Sequence, residues 1–138
     1  MTPTQFEDAV LALFTTYWSN TETAIISFPN QKFDKPDPAT SKSFIVCEIA
    51  HTHGSQISLG AIGGRQFRKY GILGFGVWVP RDSGSSEINR ICGLIERIYM
   101  DHDIGANMMN PRMRRFGDGS DGWYVQSLFI DFSFDDIK

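Results

Sequence analysis

Apolar residues fall at Phe6, Val10, Leu13, Phe14 and Tyr17, the i, i+4, i+7, i+8, i+11 spacing that lines one face of a helix. The spacing predicts a first helix over residues 2 to 18. Thr2 before Pro3, with Gln5 three residues after the threonine, has the form of a capping box with proline at the first helical position, and Asn20 and Thr21 supply a stop. The pattern then changes period. Ala24 to Phe28 reads as a short strand closed by Pro29, and "NQKFDKPDPATSKS", residues 30 to 43, reads as an exposed loop because prolines and lysines displace apolar residues there. Ser43 to Ala50, "SFIVCEIA", is a β-branched and aromatic run of strand length, extended past His51 as far as Leu59.

Phe67 to Val79 alternates with period two, Leu73, Phe75, Val77 and Val79 on one side against Ile72, Gly74, Gly76 and Trp78 on the other. A hairpin over Ser55 to Tyr70 links this strand to the one before it. After Pro80 the stretch "RDSGSS" offers turn and N-cap residues, and Ile88, Ile91, Cys92, Ile95, Ile98 and Tyr99 form a second apolar helical face over about 84 to 101. Two further strands are predicted, near Arg112 to Phe116 and from Trp123 to Phe134, joined by the turn "GDGSDG". Tyr124, Leu128, Ile130, Phe132 and Phe134 make the apolar side of the last strand, with Gln126 interrupting it. This order of elements predicts a single α+β domain over residues 1–138: two helices on one face of a mostly antiparallel sheet, with a long projecting β-hairpin.

Composition narrows the function classes. A chain of 138 residues suits one domain with one core. Aromatic residues make up 13% of it, more rings than a minimal core needs, so some belong to an interface. The formal net charge of −3 argues against a dedicated nucleic-acid binder. Cys47 and Cys92 each sit in an apolar run and read as buried thiols, not as a disulfide. The start of the chain lacks a basic segment before an apolar one, and no stretch reaches membrane-span length, which predicts a protein that is cytosolic where it is made, with no membrane partner.

The glycine-rich stretch "GAIGGRQ" does not fit a nucleotide cradle. A phosphate loop turns out of a strand into a helix, whose N-terminal amides hold the phosphate, whereas these glycines lead into a strand and no Gly-Lys-Ser/Thr follows. Gly63 and Gly64 suit a hairpin tip, and Gly74 with Gly76 leave a bare strip that either a helix of the same chain or a neighbouring copy must cover. The hairpin arms carry Ile57, Leu59, Ile62 and Phe67, with Arg65 and Arg68 among them. A ribbon of this kind is marginal alone and gains by packing on another subunit, a mobile hairpin without a partner being the alternative.

Catalytic constellations are sparse. His51 and His53 share a face if the strand alternates strictly, but Glu48 then points the other way and a third metal ligand is missing, so surface histidines are the preferred reading and neither a metal nor a cofactor is expected. His102, in "DHD" at the end of the second helix, is placed to meet the last carbonyls. The serines of "DSGSS" are accounted for as helix caps, and no Ser/His/Asp or Cys/His set can be assembled, so no enzyme is expected. Arg112, Arg114 and Arg115 are the one concentrated positive charge; on a strand Arg112 and Arg114 share a face, where they line a lumen, pair with Asp135 and Asp136 of a neighbour, or simply face solvent.

The succession of an amphipathic helix, "FPNQKFDKP", "SFIVCEI" and "QISLGAIGGRQFRKYGILGFGVWVPRDSGSSEINRICGLIERIY" resembles the tail terminator, or tail completion, proteins of long-tailed bacteriophages. The residues that carry the resemblance are Ser58, Leu59, Gly60, Gly64, Arg68, Gly71, Val77, Val79, Pro80 and Gly84, within residues 3 to 101. It implies a structural virion protein: a homo-oligomeric, hexameric ring at the head-proximal end of the tail, assembled in the host cytoplasm. Such a ring caps the tail tube, stops its polymerisation and offers a joining surface to the head-tail connector. Its partners would be its own copies, the tube protein and the connector, with genomic DNA only as cargo through the lumen. The interface then falls to Ile57, Leu59, Ile62, Arg65, Phe67, Arg68, Gly74 and Gly76, and the lumen or inter-subunit charge to the arginine cluster with Asp135 and Asp136. The rival readings are a neck or head-completion protein, and a small metal-dependent or ligand-binding protein using His51, His53 and His102.

Overall fold

A computed structural model describes residues 1–18, 24–29, 43–81, 85–118 and 122–137, the backbone alone for 115–118. The elements are α1 (Pro3–Tyr17), β1 (Ile25–Ser27), β2 (Phe44–Gln56), β3 (Gln66–Pro80), α2 (Ser86–Asp101), β4 (Asn107–Asp118) and β5 (Trp123–Ile137). The strands form one sheet in the order β1-β2-β3-β5-β4, antiparallel throughout except for the parallel β1/β2 pair. This is the α+β architecture that the periodicities predict.

The first helix starts as its sequence dictates. Thr2 accepts from the Gln5 amide at 3.2 Å and the Gln5 side chain accepts from the Thr2 amide at 2.8 Å, so the capping box closes in both directions. Phe6, Val10 and Phe14 are buried beneath it, while Tyr17, at the end of the same stripe, stays half exposed and stacks on His102. The second helix buries all six residues of its apolar stripe. Its N-terminus departs from expectation: Ser85 occupies the N-cap in a helical conformation and its side chain makes no cap bond, Glu87 in the first turn bonding Arg90 instead. The remainder of the expected cap, the loop over 30–42 and the stop at Asn20 and Thr21 lie outside the described residues.

Both helices pack on one face of the sheet. There Ile45 and Cys47 of β2, Leu73, Phe75, Val77 and Val79 of β3, and Leu128, Ile130, Phe132 and Phe134 of β5 form one core with the helical stripes. Tyr99 ties the helices together, its buried hydroxyl donating to the Val10 carbonyl at 2.8 Å. Gln126, the polar interruption in β5, is also buried; its amide donates toward Asn89 Oδ1 at 3.2 Å and Met113 Sδ at 3.1 Å. Cys47 and Cys92 are free and buried in this core, and burial pushes the Cys47 thiol up to about 12.

Three strands differ from expectation in extent, β5 running on to Ile137, three residues past Phe134. Strand β4 begins at Asn107, five residues earlier than expected, because an irregularity between Met109 and Arg112 lets it pass through Asn110-Pro111. Asn110 adopts φ of 54°, a left-handed conformation that asparagine tolerates, and the proline's missing N–H is harmless on an edge strand. Strand β2 ends at Gln56, short of Leu59, where the chain leaves the sheet for the turn over 57–65.

Candidate interaction surface on the open face of the sheet

The helix-covered face accounts for one parity of each central strand; the other parity is also apolar. In register across β2, β3 and β5 stand Phe44, Trp78 and Val125, then Val46, Gly76 and Ser127, then Glu48, Gly74 and Phe129. Phe44 stacks on Trp78, with ring centroids 5.3 Å apart, and meets Trp123 edge to face at 4.8 Å. Phe44, Trp123 and Val125 are buried although they stand outside the helix-side core. They form the foot of a second apolar cluster.

Above that foot lies an open groove of about 410 Å³, walled by Val46, Trp78, Val125 and Phe129 and floored by the glycine strip. Neither described helix covers it, so among the described residues the first of the two expectations for Gly74 and Gly76, cover by a helix of the same chain, is not met. The glycines keep it open. A Cβ at Gly76 would stand 3.4 Å from the Trp78 indole nitrogen and 3.9 Å from Ser127 Oγ, and one at Gly74 would stand 3.4 Å from the Phe129 ring. Glu48 stands exposed at the groove's β2 side.

On the opposite flank Arg112 and Arg114 lie across from Phe129 and Ser127 in the β4/β5 register, on one face as expected. Arg112 has partners in its own chain: Asp131 at 3.1 Å and the Asn110 carbonyl at 3.1 Å, with its guanidinium 5.8 Å from the Phe129 ring centre. The side chain of Arg115 lies outside the described set.

The hairpin forms the second exposed element. Leu59 and Ile62 are 97% and 89% exposed, the most open large hydrophobic side chains described, and Ile57 is partly exposed beside them. Gly63 at φ of 92° makes the turn, which Gly64 closes by donating to the Ala61 carbonyl. The Phe67 ring has Arg65 and Lys69 over it at 5.7 and 5.8 Å. Arg65 Nε is buried and has no hydrogen-bond partner.

Arg68 and Asp135 join within the chain. Arg68 donates to Asp135 at 2.9 and 3.3 Å and Gln66 donates to the same carboxylate at 2.7 Å. These bonds, Arg68's foremost, hold the Asp135 carboxyl below its ordinary value, and the pairing raises Arg68. The carboxylate expected to meet a neighbour's arginine is therefore engaged by its own hairpin. Asp136 is buried, in register with Phe67.

The histidines do not converge. A register shift between His51 and His53 marks a bulge at Thr52, which sends the two side chains to opposite faces in place of the shared face that strict alternation predicts. His51 lies on the helix side, 3.5 Å from Glu7 and edge-on to Phe132, while His53 stacks on Tyr70 at 4.5 Å. His102 meets the Ile98 carbonyl through Nδ1 at 2.9 Å, the helix-end contact expected of it. Among the described residues no three His, Cys, Asp or Glu side chains gather as a metal site. None of the described helices is long and apolar enough to cross a membrane.

No family model and no curated protein matches the chain. Among solved structures, a protein known only by a sequence identifier shares the fold with a TM-score of 0.57 at 16% identity, over 96% of this chain and 95% of the other. At that identity the likeness speaks for the fold alone.

The sequence had flagged the hairpin and the glycine strip but not the second apolar face. The signal lay in β5, where Trp123, Val125 and Phe129 alternate with the core residues so that both parities are greasy, the mark of a strand buried on two sides.

Proposed function

We propose that this chain is a structural assembly protein: a phage tail terminator that forms a closed ring on the end of the tail tube, halts its growth and offers the other side of the ring to the connector. The observation that carries the reading is the sheet's open apolar face. A chain that leaves an aromatic-walled groove uncovered while projecting two fully exposed aliphatic side chains on a hairpin has the surface of a subunit. The resemblance in the hairpin and second helix supplies the particular assembly, the hexameric number and the virion location at the head-proximal end of the tail. Termination follows from geometry: a ring that matches the last layer of tube subunits without reproducing its growing surface ends the polymer.

Light scattering with electron microscopy tests the reading. The purified protein, alone or with isolated tail tubes, is expected to give rings or capped tube ends; a strict monomer that ignores tubes contradicts it. Capping of tubes, as against binding to the portal side of filled heads, separates a terminator from a neck protein.

A further inference from the structure

The groove and the hairpin tip are complementary in apolar character and in charge. The groove has apolar walls, a floor without side chains, and one exposed carboxylate, Glu48, beside it. The tip has two open aliphatic side chains, Leu59 and Ile62, and Arg65, whose Nε is left without a partner. Among the described residues no cation pairs with Glu48. An unsatisfied guanidinium nitrogen and an unpaired carboxylate at the margins of two apolar surfaces are what a docked contact would bring together.

The two cannot meet within one molecule. Gln66, where the tip rejoins the sheet, and Gly76, in the groove floor, are ten residues apart on one continuous strand, about 33 Å at the rise of a β-strand. The tip therefore reaches a groove only on another copy. We infer that the hairpin tip of one copy seats Leu59 and Ile62 on the Gly74–Gly76 floor of the next, with Arg65 turned to its Glu48. This deepens the reading above by naming the contact that joins the subunits. The contact is heterologous, tip to groove, so each copy gives one and receives one, and a chain of such contacts closes into a ring or runs on as a filament. The absence of a Cβ at 74 and 76 acquires a reason, since room for the incoming side chains is what the glycines leave.

Cysteine cross-linking of the full chain tests the inference. Two single variants, Leu59→Cys and Ser127→Cys, are mixed and oxidised; the native thiols are buried. A cross-linked dimer containing one chain of each variant is expected, because a disulfide requires the two positions to come within about 7 Å. A mixture that gives only like-with-like dimers, or none, while the particle remains oligomeric overturns the tip-to-groove contact and leaves the assembly reading standing. A protein that is monomeric under all conditions overturns both.

Charge exchange is a second arm that does not depend on oxidation. Glu48→Arg and Arg65→Glu are each expected to weaken association about tenfold, and the double variant to recover most of it. Equal weakening in singles and double, with all three folded by circular dichroism, overturns the pairing.

Discussion

The two faces of the central sheet are built from the same kinds of residue and end in opposite states. On one, Phe75, Phe132 and Phe134 lie under α1 and α2 and are lost to solvent; on the other, Trp78 and Phe129 stand half-open around a glycine floor. Apolar side chains on the first face stabilise the chain itself. On the second, Phe44, Trp123 and Val125 are buried within the chain as well, while Trp78 and Phe129 around the groove give less to the isolated molecule. A sheet apolar on both sides with helices on one is an incomplete layer structure.

The sharpest way to break this comparison is to make the same substitution on both faces. Phe75→Ala removes a fully buried ring packed on Phe14 and Tyr99 and is expected to cost about 3–5 kcal/mol in urea unfolding. Phe129→Ala on the open face is expected to cost about 1 kcal/mol in dilute protein, and more as concentration rises and copies cover the groove. Equal costs at every concentration would mean the open face is an ordinary part of the fold.

Thiol labelling sharpens the contrast from the covered side. Burial raises Cys47 to about 12 and raises Cys92 as well, so neither is expected to react with a thiol reagent at neutral pH until the protein is unfolded, when both should. Fast labelling of the native state would show the helix layer to be loose.

The smallest effect belongs to the hairpin base. Asp135 is held below its ordinary value of 3.8 by Arg68 and Gln66. A depressed carboxylate contributes stability that is fully present above its unfolded value and is lost as pH falls through the lower folded value. Asp135→Asn is accordingly expected to lower stability slightly at neutral pH, the pair being solvent-screened, and to flatten the acid limb, the difference from the wild type vanishing as pH falls through the folded value. A steeper acid limb in the variant would contradict that sign.

Local rules made the helix layer legible in the sequence. Thr2, Pro3 and Gln5 specify the start of α1, and the stripes of α1 and α2, Tyr17 at the end of the first apart, face the core because a helix on a sheet has only one side to hide. The alternation of β3 was equally plain. What escaped depends on contacts that no short window contains. The bulge at Thr52 parts His51 from His53 through pairing with β3 nearly twenty residues away, and the early start of β4 depends on Asn110 adopting a left-handed turn inside a strand. The open face escaped for another reason. In β5 the stripe Tyr124, Leu128, Ile130, Phe132 and Phe134 is conspicuous, whereas Trp123, Val125 and Phe129 of the other parity are interrupted by Ser127 and Asp131, so the second apolar face is muted.

The claim that a copy of the chain covers that face is tested most directly by sedimentation of the wild type and Gly76→Val at equal concentration. A Cβ at position 76 would stand 3.4 Å from the Trp78 indole nitrogen and 3.9 Å from both Ser127 Oγ and the Val46 carbonyl oxygen, so the fold should persist while the groove fills. The account predicts a closed oligomer for the wild type and a folded monomer for the variant. An oligomer of unchanged mass in Gly76→Val, or a wild type that stays monomeric at all concentrations, would contradict it.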